Sequence, residues 1–237
     1  MSILTTLYDA HLTVGGHPIA WREIIGNLFG LASAVGGMRR RVWAWPVGIV
    51  GNVLLFTVFL GTALGGHGAP LFGQAARQVF FVAVAVYGWH RWRETRTGTG
   101  APAIVPRWAT GRERLVLLSV AVIGIVSCAW LFTQIGAGWP APGWYYVADA
   151  WIFVGSILAT YAMARGWVDF WLVWIAVDLV GIPELLYFQY YPSAVLYAVY
   201  AGFVVWGLVV WLRAARDEGP PADPELRTDE TSKAVGL

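Results

Sequence analysis

The residue most suggestive of chemistry is an aspartate near the middle of a predominantly apolar segment. Asp178 lies eleven residues into the stretch 167–188, whose length is typical of a helix that crosses a bilayer. A charged side chain at mid-bilayer is energetically costly and by default indicates a functional site. Asn52 lies at a similar depth, ten residues into the stretch 42–63. The structural alternative is that Asp178 only hydrogen-bonds a neighbouring helix.

Aromatic and carboxamide side chains accompany this aspartate. Trp171, Trp174 and Asp178 have the i, i+3, i+7 spacing that places residues on one helical face. We predict a substrate site from these residues and Asn52, together with Trp45, Gln74, Gln78, Tyr197 and Tyr200. Such a lining suits a flat, polar heteroaromatic ligand, because indole faces stack on planar rings and attract cations, while amides match the donors and acceptors of a carboxamide or a ribose.

The elements that position these residues are membrane helices. The chain is 58% hydrophobic and 13% charged, against about 25% charged in soluble domains, and Cys128 as the single cysteine excludes a disulfide scaffold. Seven spans are predicted, at 23–38, 42–63, 70–90, 114–134, 145–163, 167–188 and 192–213. We therefore expect an all-α integral membrane protein that inserts in the lipid bilayer and binds no nucleic acid.

The basic residues predict the orientation. Fourteen of the 16 lysines and arginines fall in the loops after spans 1, 3 and 5 and in the C-terminal segment, Arg22 and Arg77 being the exceptions. The positive-inside rule makes that side cytoplasmic. The expected location is the bacterial inner membrane, with the N-terminus outside and the C-terminus in the cytoplasm.

The chain resembles itself at an offset of 126 residues, which pairs Glu23, Arg39, Trp45 and Asn52 with Asp149, Arg165, Trp171 and Asp178. In the third helix of each half, an offset of 119 pairs Tyr87, Gly88 and Trp92 with Trp206, Gly207 and Trp211. We predict two parallel three-helix repeats joined by a linker helix, a 3+1+3 plan that is known among transporters. The predicted parts are an extracytoplasmic segment 1–20, a first repeat 21–92, a cytoplasmic loop and linker helix 93–134, a second repeat 145–213 and a flexible cytoplasmic tail 214–237.

Other features have more than one interpretation. Glu23 and Asp149 either cap helix N-termini or act as gates, and Glu184 either reaches interfacial water or acts as a gate. The tryptophans near helix ends are predicted to form an interfacial belt: Trp89, Trp92, Trp151, Trp167 and Trp211. A membrane-embedded enzyme is the main rival class, but the predicted spans contain no HExxH motif, no paired acids on one helix turn and no cysteine cluster. We therefore predict neither catalytic activity nor a metal or other cofactor.

The chain resembles the PnuC family of bacterial vitamin transporters over about residues 21–213. The resemblance rests on the 3+1+3 plan, on the WxxW pattern of Trp171 and Trp174, and on Tyr87-Gly88-Trp89 in the third helix. It implies a fold similar to that of the SWEET sugar carriers, a homotrimer, and facilitated diffusion with trapping of the substrate by cytoplasmic phosphorylation. It also implies that Trp171 and Trp174 bind substrate.

The family resemblance leaves the vitamin open. Nicotinamide riboside is favoured, because Gln74, Gln78 and Asn52 suit a carboxamide and ribose hydroxyls. The alternative is thiamine or another nucleoside-like vitamin, since both named ligands contain a cationic aromatic ring that Asp178 would stabilise.

Overall fold

The structure is a computed structural model and describes residues 10–14, 17–60, 72–96, 102–136, 142–187 and 191–218. Within them lie seven helices: α1 (Trp21–Met38), α2 (Ala44–Phe59), α3 (Phe72–Thr95), α4 (Gly111–Ile135), α5 (Gly143–Ala164), α6 (Asp169–Tyr187) and α7 (Tyr191–Asp217). Residues 219–237 of the predicted tail lie outside the described residues, and so does the side chain of Gln74.

The predicted helical architecture is confirmed, with one addition. Two strands of four residues, β1 (His11–Val14) and β2 (His17–Ala20), pair antiparallel just ahead of α1. They lie in the segment 1–20, for which the sequence predicted only an extracytoplasmic position. Such short strands carry too little hydrophobic periodicity to be recognised in a sequence.

The helix ends differ from the predicted spans by a few residues. The largest extension is in α3, which continues to Thr95 rather than ending at residue 90. A helix need not end where the hydrocarbon ends, and the charged run at this point is compatible with helix in water. By length and hydropathy, three helical stretches of the described chain could each cross a membrane, Gly111–Ile135, Gly143–Ala164 and Tyr197–Asp217, while Ala44–Phe59 is apolar but shorter.

The helices pack as two sequential groups. Helix α2 packs between α1 and α3, and α6 packs between α5 and α7, while α3 also packs against α5. Helix α4 packs against α5, and none of its residues is buried in the described structure. Its start is set by a capping box, in which the Thr110 hydroxyl accepts from the Glu113 amide and Glu113 accepts from the Thr110 amide.

Glycines allow close contact where the first two helices of each group cross. A Cβ on Gly51 would lie 2.9 Å from the Gly26 carbonyl oxygen and 3.1 Å from Cβ of Phe29. In the second group a Cβ on Gly155 would contact Val177. The offset of 126 relates Phe29 to Gly155 and Gly51 to Val177. At this crossing the first group therefore has its glycine on the second helix, α2, and the second group has it on the first helix, α5.

The turns after α1 and α5 also correspond. Arg40 has φ 54° and Gly166 has φ 74°, and the two positions are 126 residues apart. Both turns lie at one end of the helices, where α1, α3, α5 and α7 end and α2, α4 and α6 begin. We call this the arginine-rich end, since its residues include Arg39, Arg40, Arg91, Arg107, Arg112, Arg114, Arg165, Arg213 and Arg216.

Candidate substrate site

Asp178 lies on α6 and is buried, with 6% of its surface exposed. Its Oδ2 atom has no hydrogen-bond partner among the described residues. Five residues further on, Pro183 lies inside the same helix. Because proline lacks an N–H, the carbonyl of Leu179 loses its usual helical partner. A buried carboxylate oxygen without a partner is costly, so Asp178 is suited to accept a hydrogen bond from a ligand.

Trp171 is packed into the aromatic core rather than standing free. Its ring lies against Gly207, where any Cβ would collide with it. Its centroid is 4.2 Å from that of Phe170 and 6.2 Å from that of Trp211. The Trp171 side chain is buried, and its Nε1 has no partner in the described structure.

Trp45 repeats this arrangement in the first group of helices. Its ring packs on Gly88 and forms an edge contact with Trp92, with the ring centroids 5.2 Å apart. Trp45 is also buried, and its Nε1 likewise lacks a partner among the residues described. Trp174 differs, because it is only partly buried and packs at the margin of the core cluster.

The other predicted site residues lie on three helices. On α7, Tyr197 packs against α6 one turn beyond Asp178, since a Cβ on Gly181 would lie 3.0 Å from its Cε1. Tyr200 is half-buried on the same helix. Gln78 is buried on α3 with 3% exposure, and Asn52 is half-buried on α2. The described contacts therefore join Tyr197 to the helix of Asp178, while Asn52 and Gln78 belong to the α2–α3 pair.

The polar residues at the opposite end include the acids that the sequence left open. Asp149 is the seventh residue of α5, because that helix begins at Gly143. The interpretation of Asp149 as a helix-capping acid is therefore wrong, since the dipole effect falls off within the first turn. Asp149 instead lies within electrostatic range of Arg77 on α3 and Glu184 on α6. Glu23 does lie in the first turn of α1.

Three of the tryptophans predicted for the interfacial belt are buried. Trp92 and Trp211 are both 0% exposed, and Trp167 is 4% exposed. The Trp92 indole donates to the carbonyl of Ala164 at 3.2 Å, and the Trp211 indole donates to the carbonyl of Met38 at 3.1 Å. The belt assignment is wrong for these three, because position near a helix end does not distinguish a lipid-facing side chain from one that faces a neighbouring helix.

The sequence reasoning also missed a network of ion pairs at the arginine-rich end. Arg40 binds both carboxylate oxygens of Glu218, at 2.5 and 2.8 Å, and Arg107 binds both oxygens of Glu113, at 2.8 and 2.6 Å. The hydrogen bonds from Arg40 lower the pKa of the Glu218 carboxyl. The corresponding bond to Glu113 raises the pKa of Arg107. Only the high arginine content of these loops hinted at this network.

The residues from 20 to 213 match the family model described as nicotinamide mononucleotide transporter. The chain belongs to this family. Its relatives include the riboflavin/roseoflavin transporter RibM of Streptomyces davaonensis, 37% identical, with 90% of this chain and 92% of RibM covered. The nicotinamide riboside transporter PnuC of Escherichia coli is 22% identical, over 93% of this chain and 97% of that protein.

A solved structure shows the same fold. The crystal structure of the vitamin B3 transporter PnuC matches with a TM-score of 0.63 at 19% identity, covering 83% of each chain. The predicted family resemblance and the helical membrane-protein fold are thereby confirmed. The relatives and the fold are those of vitamin transporters rather than enzymes.

Proposed function

We propose that this protein carries riboflavin across the bacterial cell membrane. The observation that carries the proposal is the 37% identity with the riboflavin/roseoflavin transporter RibM over 90% of the chain. Identity with the nicotinamide riboside transporter of Escherichia coli is 22% over a similar length. The comparison therefore favours riboflavin over the vitamin that the sequence alone favoured.

The candidate site offers groups that a flavin requires. The isoalloxazine ring is planar and uncharged, with an imide N–H between two carbonyl groups. The partnerless oxygen of Asp178 could accept from that N–H. The indole N–H groups of Trp171 and Trp45 have no partner among the described residues and could donate to flavin carbonyls. Trp174 is partly buried and retains exposed indole surface for stacking.

Nicotinamide riboside is the second candidate, and Asp178 is the observation that favours it. A buried carboxylate stabilises a permanent cation such as the pyridinium of nicotinamide riboside. Gln78, which is buried on α3, suits the carboxamide. Thiamine also has a cationic ring and stays the alternative within this class.

Transport is proposed to be facilitated diffusion through a site between two parallel three-helix repeats, α1–α3 and α5–α7, joined by α4. Paired contacts support the repeat, because Trp45 packs on Gly88 as Trp171 packs on Gly207. Phosphorylation in the cytoplasm would trap the vitamin. We further propose a homotrimer, and an orientation with the arginine-rich end in the cytoplasm and the N-terminus outside, as the positive-inside rule predicts.

Purified protein in proteoliposomes tests these proposals. Binding of riboflavin, nicotinamide riboside and thiamine is measured by calorimetry, and uptake of each labelled vitamin is measured with and without a proton gradient. We expect saturable riboflavin binding and gradient-independent uptake. Binding of nicotinamide riboside without riboflavin would select the second candidate, and binding of none of the three would contradict vitamin transport.

A further inference from the structure

The segment between α3 and α4 bonds to both groups of helices at the arginine-rich end. We call residues 102–110 the strap. The amide of Ala103 donates to the carbonyl of Arg40 at 2.8 Å, and the amide of Arg107 donates to the carbonyl of Gly166 at 3.0 Å. Although the strap is a loop, Ala103, Pro106 and Ala109 are buried. The strap therefore anchors three buried side chains in the structure, while Val105 and Trp108 between them are exposed.

The two turns that the strap joins are equivalent positions of the two groups. Arg40 and Gly166 are 126 residues apart and share a positive φ. Beside them the ends of α1 and α5 are in direct contact, because a Cβ on Gly37 would collide with the methyl group of Met163. The ends of the two groups are thus closed on each other where the strap crosses between them.

The strap makes further bonds to the second group. There the amide of Val168 donates to the carbonyl of Arg107 at 2.8 Å, and the amide of Ala109 donates to Asp169 Oδ2 at 2.7 Å. Asp169 also pairs with Arg114 at 2.7 Å, and the Ile104 side chain packs against Gly166. These contacts fix the strap to the turn between α5 and α6.

Towards the first group the strap is bonded to Thr95 on α3, whose hydroxyl donates to the carbonyl of Ala103 at 2.7 Å, and to Arg40. The Arg40 carbonyl accepts from Ala103, and its guanidinium donates to the carbonyl of Ile104 at 3.3 Å. The same guanidinium pairs with Glu218 just after α7, which belongs to the second group. Arg40 thereby connects the turn after α1, the strap and the end of α7.

We propose that the strap closes the arginine-rich end of the transport path and that the Arg40–Glu218 ion pair is the latch that holds it closed. This inference rests on the transport function proposed above. If the two groups rock apart at this end, the carbonyls of Arg40 and Gly166 must separate. The four-residue step from Ala103 to Arg107 spans at most about 14 Å. If the two carbonyls separate by more than this distance, the strap must detach from one of the two turns. We expect it to detach at Arg40, because it makes one main-chain bond there and two at the turn of Gly166 and Val168.

A cysteine introduced at a buried position of the arginine-rich end can report the opening of that end in the absence of any vitamin. Met38 ends α1 with 4% of its surface exposed. Met38→Cys in a Cys128→Ala background is labelled with a maleimide in detergent, and the labelling rate follows the population of the open state. Glu218→Gln removes the ion pair while leaving the turn intact, and Asp217→Asn, at the exposed neighbouring carboxylate, is its matched control. Arg40→Gln and Arg39→Gln form a second pair of variants.

We expect Glu218→Gln to raise the labelling rate about three- to fivefold, as loss of a partly exposed ion pair allows. Arg40→Gln should raise it further, because the bond to Ile104 is lost too, while Asp217→Asn and Arg39→Gln leave it unchanged. Equal rates in Glu218→Gln and Asp217→Asn would overturn the latch. If Glu218→Gln raised the labelling rate equally at Val177→Cys, in the buried middle of α6, the latch would also be overturned, because the whole protein would then have loosened. Failure to bind any vitamin would instead overturn the proposed function.

Discussion

The indole nitrogen of Trp92 on α3 lies 3.2 Å from the carbonyl oxygen of Ala164 at the end of α5. The equivalent residues of the other half reproduce this bond, with Trp211 on α7 donating to Met38 at the end of α1. Each group of helices therefore donates one buried indole to the first helix of the other group. The last carbonyls of a helix lack partners within it, so these two bonds both satisfy helix ends and join the groups.

Replacing either indole by a ring without an N–H should destabilise the protein. Trp92→Phe or Trp211→Phe leaves a buried carbonyl unsatisfied, which costs about 1–3 kcal/mol, in addition to a small cavity. We expect a lower thermal midpoint in detergent for both variants. Trp130→Phe on α4 is the control, since Trp130 is 65% exposed. A midpoint equal to that of this control would show that the bonds do not stabilise the fold.

The tryptophan–glycine contacts predict a difference between two glycines of one helix. Gly207→Ala places a methyl group into the Trp171 ring, whereas Gly202→Ala meets nothing within 4 Å. Overpacking of this kind costs about 1–3 kcal/mol, while alanine in the open position favours helix. We expect Gly207→Ala to lower the unfolding midpoint and Gly202→Ala to leave it unchanged or raise it. The reverse order would contradict the packing described for Trp171.

The number and position of the helices could be predicted because long apolar runs are the strongest signal in a membrane protein sequence. The self-similarity at an offset of 126 residues also drew attention to Trp45 and Trp171. The structure supports that interpretation in the matching contacts with Gly88 and Gly207. The 3+1+3 plan itself stays a prediction.

The direction in which each side chain points could not be predicted. The sequence assigned Trp92 and Trp211 to an interfacial belt and Trp171 to the substrate site, yet all three are buried in the aromatic core. Helical spacing places residues on a common face, but it does not say whether that face contacts lipid, a ligand or another helix. The strap was missed for a similar reason, since its bonds use main-chain groups that any sequence carries.

Asp178→Asn distinguishes the two candidate vitamins. Asparagine keeps an acceptor oxygen but loses the negative charge, so affinity for the uncharged flavin should fall by about tenfold or less. A cationic ligand loses its charge partner and should be weakened much more. Calorimetry with riboflavin and nicotinamide riboside on wild type and variant measures both effects. Unchanged affinity for every vitamin that binds would place the site away from Asp178.

Trp174→Ala tests the stacking surface directly. Trp174 is only partly buried at the margin of the core, so its removal should leave the protein folded while vitamin uptake is abolished. Base–aromatic stacking is worth about 1–3 kcal/mol in other systems, and affinity should fall accordingly. Trp130→Ala on α4 controls for loss of an exposed indole. Equal affinity in the two variants would remove Trp174 from the site.

The Glu218 carboxyl gives the stability a defined dependence on pH. Its pKa is lowered from an ordinary value of 4.5 by hydrogen bonds from Arg40, so the folded state favours the charged form. The contribution is therefore present above the unfolded pKa and is lost as the pH falls through the lower, folded value. Thermal midpoints of wild type and Glu218→Gln should differ at neutral pH and converge in acid, once the pH is below the folded pKa of Glu218. Because 38% of the Glu218 side chain is exposed, the difference should be small, at most about 1 kcal/mol, and it should shrink in high salt. A difference that persisted in acid would mean that Glu218 stabilises the fold by packing rather than by charge.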